Sequence, residues 1–389
     1  MKKYDVLIAG AGLAGLSLAK ELIGSGMSAL VIDRKKRAGA VQYYSSGTFM
    51  DPREYGIPGR FLHPIDKAVF CSKNILCSKP VSNCHVIDRA GFYEWMEGFI
   101  LKDENIKLRY GCEIKEVKYS FGKIKGISYL DHGRQVETTA DIYVDCTGAS
   151  ALLGRKTGLT PENSVLALGV ERLVPLKEDS NTVYFYTGGN LGSGYGWLFP
   201  KSGMQAIAGL GFIDPKLFNG INKEFETMWD KRGLSGLCKR RPIAENHAVL
   251  RTGKPLARFT KGNVMVLGDS AHQASPLLGE GIRFILDAAK DAATAIKLVF
   301  SSGNSGLIKT YGRSWRKKYH KNFKLLYLIQ KVLKAITKND RLMDKGVKAL
   351  RCCNEQQYRR VLSGEIDLGF LIFIAVDAWH KIKILKISI

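Results

Sequence analysis

No stretch of 18 consecutive apolar residues occurs in the chain, so the sequence offers no membrane-spanning helix. No cysteines are spaced Cys-x-x-Cys, and none of the eight stands at metal-ligand spacing from a histidine. Thiols scattered in this way are expected to be free, buried and cytoplasmic. Cys71, Cys77 and Cys84 are the one group close enough in sequence to suggest a redox or zinc cluster instead. Internal repeats and low-complexity segments are absent, which excludes solenoids and disordered arrays. The opening MKKYDVLIAGAGLAGLSLAKELI has the lysines and apolar run of a secretory leader, but Asp5 interrupts the flank and the glycines have a better use, so no cleaved leader is expected.

Acidic residues are the scarce charge. Asp and Glu number 36 against 59 Lys and Arg, giving a formal charge of +23. Thirteen basic and two acidic residues lie between 301 and 350, so +11 of that excess sits in one stretch. Nucleic acid, an anionic membrane surface and an anionic substrate are the partners such a charge suits. No recognition module accompanies it, so nucleic acid is set aside. Residues 311–338 interleave Trp315, Tyr319, Phe323, Leu326 and Ile329 with Arg313, Arg316, Lys317, Lys318, Lys321 and Lys324. That pattern suits a helix lying on an anionic inner membrane face, or equally a helical cap with a solvated charged side. The apolar run at 370–376 is too short to span and reads as dipping into lipid or closing a tunnel.

With 389 residues and 45% apolar content there is material for more than one core. Residues 4–33 read strand, glycine-rich turn, helix, strand: a βαβ opening to a parallel sheet. Residues 34–64 read as a long ordered loop, and 92–101 as a helix. Strand patterns follow at 107–119 and 124–129, with a hairpin turn at 131–133. Residues 165–250 alternate like an antiparallel sheet interrupted by a helix near 222–231. A buried strand at 264–267 and a helix at 281–300 precede the basic, helical remainder. The fold class expected is α/β. A Rossmann-type domain takes residues 1–70, 85–162 and 256–300, an antiparallel-sheet substrate domain takes 71–84 and 163–255, and a helical region takes 301–389.

Gly10-Ala11-Gly12-Leu13-Ala14-Gly15 is GxGxxG between a strand and a helix. The first glycine permits the turn, the second lets a pyrophosphate approach the backbone, and the third lets helix and strand pack closely. The helix start offers unpaired N–H groups to phosphate. Asp33 ends the next strand, where a carboxylate accepts from ribose hydroxyls. Ala14 and Arg34 flank these contacts. No second GxGxxG follows a strand, so one dinucleotide is bound, with further contacts elsewhere.

The stretch GDSAHQASPLLGEGIRF at 268–284 supplies them. Asp269 follows a strand and can reach a polyol such as ribityl. Pro276 and its small neighbours leave a flat shelf. Gly279, Gly281 and Ile282 open a helix whose N–H groups can face a ring that becomes anionic on reduction. The object that fits is an isoalloxazine, making the cofactor FAD.

With these stretches the chain resembles the flavoproteins that include geranylgeranyl reductases and aromatic-ring hydroxylases. VIDRAGFYEWM, with Arg89, and DCTGASALLGR, with Gly148, also carry the resemblance. Residues 194–201, GYGWLFPK, match the YxWxFP motif of the reductases. Tyr195 and Trp197 alternate onto one face of a strand and could floor a cavity for flavin and a long apolar chain. A cysteine common in the reductases near the flavin is replaced by the tyrosines and serines of residues 40–47. The resemblance implies flavin contacts at Ser45 and Gly47 and an adenine contact at Ile114. It implies reduction of isoprenoid or polyprenyl-lipid double bonds by hydride from reduced flavin, with Tyr43, Tyr44, Tyr195 and His272 as candidate acids and Trp197 in the cavity wall. Flavin would be re-reduced by NAD(P)H or an electron-transfer protein. The GDSAH stretch keeps open a flavin monooxygenase of an apolar or aromatic compound. A cyclase-like rearrangement, a halogenase and a non-catalytic flavin or lipid carrier are further alternatives.

Overall fold

The computed structural model describes residues 2–40, 45–191, 194–213, 215–367 and 369–370. Two sheets organise it. The first begins as the βαβ pattern requires. Strand β1 (Lys2–Ala9) leads into helix α1 (Leu13–Glu21), which returns to strand β2 (Ala29–Ile32). Seven of the nine α1 residues are buried, so one short helix seals almost its whole surface between sheet and neighbours.

The chain then leaves for the second sheet through β3 (Gly47–Thr48), β4 (Leu62–Cys71) and β5 (Leu76–Ile87). It comes back by helix α2 (Arg89–Ile100), strand β6 (Ile106–Arg109), the meander β7 (Cys112–Ser120), β8 (Lys123–Asp131), β9 (Arg134–Asp145), and helix α3 (Leu152–Thr157). A second excursion forms β10 (Val165–Pro175), β11 (Thr182–Tyr186), β12 (Gly194–Lys201), β13 (Gln205–Phe212), helices α4 (Ile221–Lys231) and α5 (Leu234–Leu237), and β14 (Ala244–Thr252). Strands β15 (Thr260–Lys261) and β16 (Val264–Val266) then rejoin the first sheet, followed by α6 (Ile282–Ser302). Helices α7 (Lys309–Ile336), α8 (Asp340–Cys352) and α9 (Glu355–Ser363) complete the chain as described.

The first sheet runs β15-β16-β9-β1-β2-β6, parallel from β16 to β6, with β7 and β8 as an antiparallel extension from β9. The second runs β14-β10-β13-β12-β11-β4-β5-β3 and is antiparallel except between β11 and β4. The α/β class with a second, antiparallel sheet and a helical C-terminal region is therefore the observed architecture.

The division of the chain differs from the sequence reading at one boundary. Residues up to 70 were expected in the first domain, with only 71–84 crossing over. The pairing instead puts β3, β4 and all of β5 in the second sheet. The alternation that would announce β4 is broken by Pro64 and by a register shift between Ile65 and Lys67, so the segment reads as loop.

The basic helix α7 turns its apolar side inward. Tyr311, Trp315, Phe323 and Leu326 are fully buried, and Phe323 packs edge-on to Phe284 of α6 at 4.9 Å between ring centroids. The apolar face proposed to meet a bilayer is thus consumed as a cap on the first sheet's helices. What α7 leaves outside is cationic, with exposed Leu328 and Val332. Helices α8 and α9 lie over the second sheet; Val347, Tyr358 and Leu362 share a core with Phe185, Trp197 and Phe199. Among the described residues no helix is long and apolar enough to cross a membrane, and no three His, Cys, Asp or Glu side chains converge on a metal site, Cys71, Cys77 and Cys84 included. None of the eight cysteines is joined in a disulfide. The run at 371–376 lies outside the described residues.

Candidate functional site

The glycines of the first turn do different physical work. Gly10 has φ +105°, and a Cβ there would stand 2.2 Å from the Cys146 carbonyl oxygen at the end of β9. A Cβ on Gly15 would stand 1.8 Å from the Gly10 carbonyl oxygen, so this position seats α1 on β1. A Cβ on Gly12 meets nothing within 4 Å. Gly12 is the N-cap of α1, with no side-chain cap and no acid in the first turn. Open space therefore faces unpaired helix N–H groups, the arrangement an anionic ligand needs. Ala14 packs under Gly268, where a Cβ would come within 2.9 Å of the Ala14 Cβ. Asp33 braces the loop: its carboxylate accepts from the Ala11 amide (2.7 Å) and the Lys35 amide (2.8 Å). Arg34 is exposed beside it, and Ile114 is half-buried on β7.

The sequence reading missed Asp145, the residue that ties the other loops together. It is fully buried at the end of β9. One carboxylate oxygen accepts from the Thr147 amide (2.9 Å), the Thr147 hydroxyl (2.6 Å) and the Ser270 hydroxyl (3.0 Å); the other accepts from the Gly154 amide (2.7 Å). Ser270 also donates to the carbonyl of Gly148, whose φ is +65°. An Asp closing an apolar strand before Thr-Gly was the available signal. It was read only as part of the turn.

Asp269 has no side-chain hydrogen bond to the described residues. Burial pushes its carboxyl up to about 6, while the Arg89 and Arg251 guanidiniums pull the other way. Arg89, the first residue of α2, donates to the Tyr93 hydroxyl (2.6 and 3.0 Å), and Arg251 donates to the Ala149 carbonyl (2.9 Å). The raised carboxyl has a sign that can be measured. At pH 5 it holds its proton in the folded apoprotein and has lost it in the unfolded chain. Stability from this group is present at low pH and is lost as pH rises from about 4 to about 6. The amount is about 1–2 kcal/mol once screening of the partly exposed carboxyl is allowed for. Asp269→Asn is expected to remove that slope from denaturant midpoints of the apoprotein; an unchanged slope would contradict the assignment.

The helix beyond this loop starts against the buried Glu280 carboxylate, which accepts from the Arg283 amide, and a Cβ on Gly281 would stand 3.3 Å from Ile285. Gly281 caps α6 without a side-chain bond, Ile282 begins it, and no acid lies in its first turn. The approach to it is fixed from outside: the Pro276 carbonyl accepts from Gln330 of α7, and the Gly279 amide donates to the Ser275 carbonyl (2.9 Å).

The second sheet contributes one row of side chains. Strand register aligns Asn246, Glu171, Gly209, Trp197, Phe185 and Phe70 across six strands. Gly209 leaves a gap in that row, and the Trp197 indole fills it: a Cβ on Gly209 would stand 2.1 Å from Trp197 Cε2. Tyr195 and Phe199 flank Trp197 on the same strand, with ring centroids 5.3 and 6.4 Å away. Trp197 Nε1 donates to the Ser45 hydroxyl, and the Ser45 amide donates to Glu171 Oε1 (2.9 Å). Gly47 lies against the Phe199 ring. The Tyr195 hydroxyl donates to the Leu278 carbonyl, so the row touches the loop before α6.

Of the candidate acids, His272 is buried with φ +55°. Its Nδ1 donates to the Lys254 carbonyl (2.9 Å), leaving Nε2 to accept from the Ser164 hydroxyl (3.0 Å). Burial lowers the imidazole to about 4, so it is neutral at pH 7. Burial raises the Tyr195 phenol. Tyr43 and Tyr44 lie outside the described residues.

Comparison with known proteins fits this geometry. The family of FAD dependent oxidoreductases matches residues 5–159. A digeranylgeranylglycerophospholipid reductase of Methanococcus aeolicus is 25% identical over 392 residues, 96% of this chain and 95% of the relative. Its counterpart in Methanosarcina mazei is 24% identical over 347 residues, 81% of each. A crystal structure of a geranylgeranyl bacteriochlorophyll reductase-like protein from Thermoplasma acidophilum superposes with TM-score 0.84 at 18% identity over the whole of both chains. Residues 5–159 are thus similar to FAD-dependent oxidoreductases, and the chain over nearly its whole length is similar to geranylgeranyl-type reductases.

The residues present suit that cofactor. The open N-terminus of α1 would supply donors, the Asp269 carboxyl, which has no side-chain hydrogen bond to the described residues, would be an acceptor, and Arg89 and Arg251 bring positive charge near it. When bound, FAD supplies a ring that takes up and gives out two electrons.

Proposed function

We propose that this flavoenzyme reduces carbon–carbon double bonds of an isoprenoid or polyprenyl-lipid substrate. The observation that carries the reading is the aromatic row of the second sheet: Phe70, Phe185, Trp197 and their neighbours Tyr195 and Phe199 form a continuous apolar layer packed beneath α8 and α9. Such a surface suits a chain with no polar groups to recognise, and the relatives it resembles are reductases of geranylgeranyl lipids.

In this reading the first-turn amides of α1 hold the pyrophosphate, with Gly10 and Gly15 shaping the turn, Gly12 leaving room for the approach and Ala14 beneath. Asp33 faces the ribose with Arg34 and Ile114 near the adenine. Arg89, Gly148 and Asp269 hold the middle of the cofactor. Ser45, Gly47, Pro276, Gly279, Gly281 and Ile282 surround its ring. The protein's part is to orient the alkene and exclude water, and the Trp197 indole packed over Gly209, with Phe185 and Phe70 beyond it, supplies the apolar part of that row. Re-reduction comes from a transient donor, NAD(P)H or an electron-transfer protein.

The test is anaerobic. Holoenzyme with reduced flavin is mixed with a panel of polyprenyl lipids and quinones, and products are weighed by mass spectrometry. Two added hydrogens per bond are expected. Flavin that stays reduced with every alkene, and yields a hydroxylated product only when oxygen is admitted, would replace this reading with the monooxygenase.

A further inference from the structure

Saturating an alkene consumes a proton as well as a hydride, and the acids named from the sequence are poorly placed to give one. The Tyr195 proton is committed to the Leu278 carbonyl, and the His272 N–H to the Lys254 carbonyl. Glu280, a buried glutamate near the ring-binding loop, has both oxygens engaged, one by the Thr48 hydroxyl (3.1 Å) and one by Arg283 (3.2 Å).

Glu171 is different. It is 4% exposed, in the middle of β10 beside Arg172, on the aromatic face of the sheet. Oε1 accepts the Ser45 amide, while Oε2 is buried with no hydrogen-bond partner. Asn246, its register neighbour on β14, has a buried Nδ2 with no strict hydrogen-bond partner, and its side chain lies near enough to the Glu171 carboxyl to favour the ionised form. Through Ser45 the carboxyl is one step from Trp197 Nε1. We propose that Glu171 holds the proton consumed in alkene reduction and delivers it from Oε2 to a substrate held against the aromatic face that carries Trp197 and Tyr195. This rests on the functional reading above.

The step balances. One alkene carbon accepts hydride, a hydrogen with two electrons, from the reduced flavin. Its neighbour accepts H⁺ from the Glu171 carboxyl as that O–H bond breaks, leaving a saturated bond, oxidised flavin and a carboxylate. The carboxylate regains its proton from water after product leaves. The charged and titratable groups acting on Glu171 suit the role. Burial raises its carboxyl above the ordinary range, and the Ser45 hydrogen bonds, the Arg89 guanidinium and Asn246 oppose that without cancelling it. Tyr195, a neutral phenol, is the titratable group on the β12 side.

Glu171→Gln preserves the Oε1 acceptor and removes the acid. It is expected to bind FAD as the parent does. Its anaerobic single-turnover rate with an accepted polyprenyl alkene should fall at least about a hundredfold. The parent rate should decline as pH rises through the raised carboxyl value, and that limb should vanish in the variant. Independently of turnover, infrared spectra of the oxidised holoenzyme along a pH series should show a protonated-carboxyl C=O stretch that persists above the ordinary glutamate range, is absent from Glu171→Gln and is shifted in Glu171→Asp. Glu171→Asp also covers failure of the Gln variant to fold, and should retain a slowed, pH-dependent rate. Absence of the infrared band, or an unchanged rate and pH limb in Glu171→Gln, overturns the proposal while leaving the function intact. A parent that reduces no alkene overturns the functional reading instead.

Discussion

Gly12→Val is expected to purify as a folded, colourless protein. The position has extended backbone (φ −83°, ψ −166°) that valine adopts, and no atom lies within 4 Å of the new Cβ. The only folding cost is a poorer N-cap, about 1 kcal/mol. Yet the side chain would occupy the space in front of the first-turn amides of α1, and FAD binding should weaken more than about a hundredfold, the loss of roughly 3 kcal/mol of charge-assisted hydrogen bonding. Gly10→Ala makes the contrast. Its Cβ would collide with the Cys146 carbonyl in a backbone conformation hostile to side chains, and about 3 kcal/mol or more of stability should go. Denaturant midpoints and flavin absorbance separate the two. A yellow Gly12→Val protein with parental affinity would remove the anion site from the α1 N-terminus.

Asp145→Ala should be among the most destabilising substitutions away from the hydrophobic core. Its carboxylate accepts from two backbone amides and two hydroxyls in a fully buried position. Truncation strands those donors without water, at a cost of roughly 3–5 kcal/mol. The loss also reaches the cofactor, because the same carboxylate joins the end of β9, the start of α3 and the turn Gly268–Ala271 that carries Asp269. A lower denaturant midpoint together with weaker FAD binding is expected in Asp145→Ala, and a smaller version of both in Asp145→Asn. A midpoint within about 1 kcal/mol of the parent would mean that the turns hold without it.

These two positions mark how far local sequence carries. The glycine turn is legible because its spacing encodes a short-range geometry: strand, tight turn and helix lie within one stretch. Asp145 is harder, since its partners Thr147, Gly154 and Ser270 are drawn from three segments. The inward face of Tyr195 and Trp197 followed from strand alternation alone, whereas the inward turn of α7 did not follow from its pattern, because an amphipathic helix looks the same whether it meets lipid or protein. β4 was read as loop because a proline and a register shift hide its period.

By itself the sequence determined the βαβ opening, the second glycine-opened helix and the run of β-strands between them, and with these the α/β class and the flavin. Those signals depend on residues near one another in the chain. Tertiary structure alone decided that Glu171, Ser45 and Trp197 meet. Their contact requires β10, β13 and β12 to pair in one register, a missing side chain at Gly209 for the indole to cross, and a loop more than a hundred residues earlier to settle over both. Register between distant strands is fixed by packing of the whole sheet, and no local pattern encodes it.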